Sequence, residues 1–129
     1  MVHKVIDATA LHVGGYCIID NEACVVKSMD ISKTGKHGHA KVRLEAVGIL
    51  SEKKKVLVVP GHERFEVPMI EKKKAQVLSI SGDNANLMDS ESFENFDLNI
   101  PEELSDKIKD GVIVEYWDVE GQKIIKRAL

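Results

Sequence analysis

Five short runs rich in Val, Ile and Leu follow one another in the first 70 residues, with no helical period of convincing length among them. They are KVIDATAL, GYCIID, ACVVKSMDI, AKVRLEAVGIL and KKVLVVP. Apolar β-formers in runs this short, broken by polar punctuation, read as strands. DNEA at Asp20 to Ala23 has the chemistry of a hairpin turn between the second and third runs, and SEKKK separates the fourth from the fifth. This half of the chain is expected to form a small all-β barrel or sandwich.

Pro60-Gly61, Pro68 and the lysine triplet of EKKK at Glu71 to Lys74 mark a change of regime. They place a boundary near residue 70, with EKKK read as a solvated junction and the two domains as residues 1–70 and 71–129. The second half brings KAQVLSIS, NANLMDS, ENFDLNI, GVIVEYWDV and QKIIKRAL, with turn signals at Ser81 to Asn84 and at Glu120-Gly121. Between the third and fourth of these runs, PEELSDKIK reads as one short helix. Pro101 falls in its first turn, acids come early and lysines late, and Asp110-Gly111 stops it. Five strands with a helix before the fourth fit an OB-like barrel.

At 129 residues, two domains of this kind are each small, so each buries a modest fraction of its unfolded surface. No apolar run approaches the roughly 18 residues that span a bilayer. The N-terminal MVHKVIDATALHVGG also lacks a signal-peptide core, so the expected location is the cytoplasm. Cys17 and Cys24 sit in apolar runs and are expected to be reduced core thiols. A zinc knuckle would need tighter spacing and a second pair.

The net charge of −3 is unevenly spread. Up to Ile70 ten Lys and Arg oppose eight Asp and Glu; from Glu71 onward eight oppose thirteen. Five basic residues and one acid, Asp30, fall between Lys27 and Arg43. That concentration favours contact with a polyanion at one end of the molecule, and the acidic second half argues against a chain coated for nucleic acid.

The basic concentration centres on SKTGKHGHAK, Ser32 to Lys41. This stretch joins two strand-like runs yet holds no large apolar side chain. It contains Ser32, Lys33, Thr34, Gly35, Lys36, His37, Gly38, His39 and Lys41, with Arg43 close behind. Gly35 and Gly38 flank Lys36-His37, and glycine accepts positive φ without a steric cost, so the segment reads as a tight exposed loop presenting a lysine. A phosphate-binding loop is excluded, because Asp30 stands where that pattern needs glycine and His37 where it needs Ser or Thr. With His62 the only other plausible histidine and no clustered acids, His37 and His39 do not make a metal site.

These residues resemble the modification loop of the translation initiation factor 5A family, related to bacterial elongation factor P. All ten positions from Ser32 to Lys41 fit the family pattern, and the short N-terminal lead is more similar to the archaeal form. The resemblance implies an N-terminal SH3-like β-barrel carrying the loop, followed by a C-terminal OB-fold barrel with one short helix. It also implies that Lys36 receives an aminobutyl group derived from spermidine, transferred by deoxyhypusine synthase with NAD, giving deoxyhypusine or, after hydroxylation, hypusine.

The implied partners are the ribosome and the acceptor end of peptidyl-tRNA, and the implied action is promotion of peptide-bond formation and relief of stalls, notably at consecutive prolines. No cofactor and no enzymatic step of the factor's own are expected. The added group would extend Lys36 by about 6 Å and supply a second cation. Lys33, Lys41 and Arg43 would add salt-sensitive attraction to an RNA backbone, and His37 and His39 can donate, accept or stack.

Two rival readings remain from the residues. One is a general RNA-binding module acting with unmodified Lys36; the other, an enzyme, lacks a nucleophilic cysteine or acid pair beside the loop. Phe93, Phe96, Tyr116 and Trp117 could stack on bases if exposed, and core packing explains them equally well.

Overall fold

Asp20 and Asn21 adopt φ of 52° and 62° and fold the chain back on itself in two residues. Both residue types tolerate the left-handed region, and a two-residue turn of that hand matches the twist of the strands it joins. The computed structural model describes residues 3–33 and 40–129. Among the described residues eleven strands follow in chain order: β1 Lys4–Asp7, β2 Tyr16–Ile19, β3 Glu22–Lys33, β4 Ala40–Gly48, β5 Lys54–Pro60, β6 Arg64–Val67, β7 Ile70–Ser81, β8 Asn84–Asp89, β9 Asn95–Asn99, β10 Ile113–Val119 and β11 Gln122–Ala128. The chain divides into two compact units, Met1–Met69 and Ile70–Leu129.

In the first unit β2, β3, β4 and β5 form an antiparallel sheet in that order, and β1 pairs with β6. Period-two alternation sends Cys17, Ile19, Cys24, Val26, Val42, Leu44 and Ala46 into one core with Ala8, Leu11 and Phe65. Each fully buried Val or Leu there contributes about 1.5–3 kcal/mol. The run KVIDATAL is strand only to Asp7; Ala8–Ala10 is a single 3₁₀ turn. Arg64–Val67, passed over in the sequence because it lies between Pro60-Gly61 and Pro68, is a strand. Its ladder with β1 sets Phe65 opposite Ile6.

The second unit orders its strands β11-β10-β7-β8-β9, with β9 and β11 approaching each other to close the barrel. Its core gathers Ala75, Val77, Ala85, Leu87, Ile108, Val114, Tyr116 and Ile125. The turns expected at Ser81 to Asn84 and Glu120-Gly121 are present, with positive φ at Gly82, Glu120 and Gly121.

Two expectations are corrected here. EKKK is not a free junction: Glu71–Lys74 is part of β7 and pairs with Glu115–Asp118 of β10. The Lys72 Nζ lies 4.7 Å from the Trp117 ring centroid and the Lys73 Nζ 3.5 Å from Glu71.

The short helix before β10 is a 3₁₀ turn at Glu102–Leu104 with Pro101 capping it rather than inside it. No side chain caps its start, and it closes through i→i−3 bonds such as Leu104 N–H to the Pro101 carbonyl at 2.9 Å. Nine residues are too few to offset the cost of nucleating an α-helix unaided. Ile108, 2% exposed, plugs the core just beyond it.

Candidate functional site

The β3–β4 hairpin is built as an arm. β3 runs for twelve residues, about twice the usual strand length, and a bulge between Val26 and Ser28 bends it. Pairing then continues from Ser28↔Glu45 through Met29↔Leu44, Asp30↔Arg43, Ile31↔Val42 and Ser32↔Lys41 to Lys33↔Ala40. Those last five steps carry the ladder about 17 Å. Val42 is the last core residue on this ladder, with Ile31 opposite it already 51% exposed, and two further rungs, Ser32↔Lys41 and Lys33↔Ala40, continue beyond them. The arm therefore runs past the end of the core.

Among the residues singled out in the sequence, Ser32, Lys33, Lys41 and Arg43 fall on this arm, all exposed. Thr34, Gly35, Lys36, His37, Gly38 and His39 lie outside the described residues. The outward row of the sheet sets Ser32, Lys41 and Pro60 side by side, then Asp30, Arg43 and Val58, then Ser28, Glu45 and Val56. Arg43 is not a bare cation. Its Nη2 lies 3.4 Å from Glu45 Oε1, which also takes the Lys54 Nζ at 3.3 Å. Lys54 above all, with Ser28 and Arg43 adding to it, lowers the Glu45 carboxyl against an opposing desolvation.

Two features at opposite ends of the sheet escaped the sequence reading. Gly61, taken only as a boundary signal, donates its N–H to the Ala40 carbonyl at 2.8 Å and accepts from Thr9 N–H at 3.3 Å. A side chain at Gly61 would stand 2.8 Å from Thr9 Cγ2 and 3.1 Å from Ala40 Cβ, so this turn sits directly against the residue where β4 begins. The Pro-Gly pair at the end of an apolar run was the available signal.

At the other end of the sheet, Glu22 accepts Ser51 N–H at 2.9 Å and pairs with Lys55 at 3.4 Å. The Ser51 hydroxyl is the main cause of its lowered pKa.

In the second unit the four aromatics divide. Tyr116 and Trp117 are buried, and Phe96 packs against Tyr116 with ring centroids 4.9 Å apart. Phe93 alone of the four is exposed, at 68%, and holds φ of 62°. Core packing accounts for Tyr116 and Phe96, while Trp117 is covered by the Lys72 and Lys126 ammonium groups, each 4.7 Å from its ring centroid. Among the described residues no three His, Cys, Asp or Glu side chains gather as a metal site, and no helix is long and apolar enough to cross a membrane.

A basic hairpin arm on an SH3-like barrel is thus followed in the chain by an OB-fold barrel. Residues 3–63 match the family described as translation initiation factor 5A-like, N-terminal, and residues 69–128 match the eukaryotic elongation factor 5A hypusine, DNA-binding OB fold. The chain belongs to the translation initiation factor 5A family. It is 43% identical over 122 residues to translation initiation factor 5A of Archaeoglobus fulgidus, covering 95% of each chain. It is 46% identical over 117 residues to that of Methanosarcina acetivorans, covering 91% of each.

Among solved structures, eukaryotic translation initiation factor 5A from Methanococcus jannaschii superposes with a TM-score of 0.88 at 39% identity, over 98% of this chain and 94% of the other. A family protein from Naegleria fowleri gives 0.83 at 30% identity, over 98% and 99%.

Proposed function

We propose that this chain is a cytoplasmic translation factor that binds the ribosome beside peptidyl-tRNA and acts through a deoxyhypusine or hypusine side chain at Lys36. The observation that carries the reading is the ladder ending at Lys33↔Ala40. It leaves six residues, with Lys36 the third of them, to join the ends of an arm that runs beyond its core. In this proposal deoxyhypusine synthase modifies Lys36, and the modified side chain then acts at the tRNA acceptor end. The aminobutyl group from spermidine lengthens the side chain and adds a cation suited to phosphates and ribose hydroxyls.

The factor performs no covalent step in this proposal. Holding the peptidyl-tRNA end in reactive geometry lowers the entropic part of the barrier to peptide-bond formation. Lys33, Lys41 and Arg43 supply electrostatic attraction to the RNA backbone along the arm. Stalls at consecutive prolines, where that geometry is hardest to reach, are where the effect is greatest.

The test is peptide mass spectrometry across Lys36 on protein from its native source. An aminobutyl increment, with or without one oxygen, supports the proposal. Plain lysine in native protein overturns it in favour of a general RNA-binding module.

A further inference from the structure

Cys17 on β2 and Cys24 on β3 are directly opposed in the ladder and share one core. Both are free thiols, and both are fully buried. The two-residue turn makes Ile19↔Glu22 the closing pair, and hydrogen-bonded pairs recur at every second position from there. Val26 N–H donating to the Gly15 carbonyl at 2.9 Å fixes the same phase at the far end of the hairpin. Cys17↔Cys24 is therefore a hydrogen-bonded pair, with Cα atoms about 5.5 Å apart. That lies within the Cα range disulfides span, roughly 4.4–6.8 Å.

The geometry points to a redox-responsive cross-strand dithiol: Cys17 and Cys24 close reversibly to a disulfide that staples β2 to β3 when a peroxide is present. In the first step Cys24 Sγ attacks a peroxide oxygen, giving a sulfenic acid and one water. In the second Cys17 Sγ displaces hydroxide from that sulfur, and with the thiol proton it leaves as a second water. Two thiols lose two electrons and hydrogen peroxide is reduced to two waters.

Cys24 is taken as the attacking thiol because it contacts Glu22, the residue that also holds the Lys55 ammonium. The Lys55 Nζ is held by the Ile19 carbonyl at 3.2 Å, Glu22 at 3.4 Å and Asp20 at 3.7 Å, all around the turn that Cys24 approaches. The Cys24 thiol itself donates to the Glu22 carbonyl at 3.4 Å. Burial raises both thiols; at Cys24 the Lys55 charge opposes the rise while the Glu22 and Asp20 carboxylates add to it, and at Cys17 burial with Cys24 beside it takes the thiol to about 11.

A hydrogen-bonded pair holds its Cβ atoms farther apart than a relaxed disulfide needs, so the bond forms under strain and is readily reduced again. That makes the pair a switch and not a permanent brace. β3 is the strand that continues into the arm, so the staple fixes the inner end of the strand that carries the basic site.

The experiment is treatment of the folded, reduced protein with hydrogen peroxide in native buffer. Alkylation in denaturant then follows, with trypsin digestion and mass spectrometry. Val5 to Lys27 has no internal Lys or Arg, so one tryptic peptide carries both thiols. The expected product is that peptide lighter by two hydrogens, unalkylated, and returned to two alkylatable thiols by dithiothreitol. Cleavage after Glu22 should leave its two halves joined until reduction.

Two alkylated thiols after peroxide would overturn the proposal, as would oxygen adducts confined to one cysteine. So would a bond that forms faster in unfolded than in folded protein, because the fold would then not be holding the pair. Cys17→Val keeps an apolar side chain in the core and should divert oxidation at Cys24 to oxygen adducts or disulfide-linked dimers.

Discussion

The phenol of Tyr116 donates to Asp89 Oδ2 at 2.5 Å inside the second barrel, while Asp89 Oδ1 accepts the backbone N–H groups of Glu91 and Ser92, each at 2.8 Å. A buried carboxylate thus ties β10 to the β8–β9 turn, at whose tip Phe93 stands exposed. Tyr116→Phe removes one donor to that carboxylate and leaves its charge buried. The expected loss is about 1.5–3 kcal/mol, the scale of a hydrogen bond to a charged group. A urea titration of the variant reads it as a lower midpoint at unchanged slope; an unchanged midpoint would show that the bond adds nothing.

The same carboxylate sets an acid limit. Burial raises the Asp89 pKa, but the hydrogen bonds from Tyr116, Ser92 and Glu91 outweigh it and hold the group at about 2, against 3.8 ordinarily. A folded pKa below the unfolded one contributes stability that is present above the unfolded value and is lost as pH falls through the folded one. The second barrel should therefore lose about 2 kcal/mol between roughly pH 4 and pH 2. Asp89→Asn, already less stable at pH 7, should show a flatter dependence across that window.

Lys36→Arg keeps a cation but cannot accept the aminobutyl group. Stimulation of peptide-bond formation on ribosomes stalled at consecutive prolines should fail, while general RNA affinity survives. Full stimulation by this variant would count against the proposed function.

Lys41 and Arg43 should not contribute equally to RNA affinity, because Glu45 already pairs with Arg43 at 3.4 Å. Each phosphate contact removed reduces the slope of log affinity against log salt by about 0.7–0.9. Lys41→Ala should approach that change, and Arg43→Ala should fall short of it. Binding titrations at several salt concentrations would distinguish the two, and equal slopes would refute the difference.

The β2–β3 turn offers a conformational test. Asn21 holds φ of 62°, so Asn21→Val places a β-branched residue in a region it resists, at a cost of about 1–3 kcal/mol. Asn21→Gly should be neutral or slightly stabilising. Thermal unfolding of the two variants should move in opposite directions or leave the glycine form unchanged.

Much of the strand plan was legible because side-chain alternation and turn chemistry are local. ACVVKSMDI and AKVRLEAVGIL announced β3 and β4, while Asp20-Asn21 and Glu120-Gly121 marked tight turns. Elements whose stability comes from distant partners were not legible. EKKK has the composition of a solvated linker, yet β10 completes its ladder. PEELSDKIK carries helix signals, but a short segment without a side-chain cap settles into a 3₁₀ turn over Ile108. RFEV is too short to stand out without β1 beside it.

The candidate site divides in the same way. Sequence alone determined the composition of Ser32 to Lys41, the central lysine between two glycines, and the charge gathered around it, because these are properties of neighbours along the chain. Tertiary structure decided that β3 and β4 stay paired past the end of their core, and that Glu45 shares the charge of Arg43. It also decided that Gly61 rests on Ala40, that only Phe93 of the four candidate aromatics faces solvent, and that Cys17 meets Cys24. Each of those facts depends on which strand lies next to which and in what register, and a one-residue slip would turn every side chain to the other face.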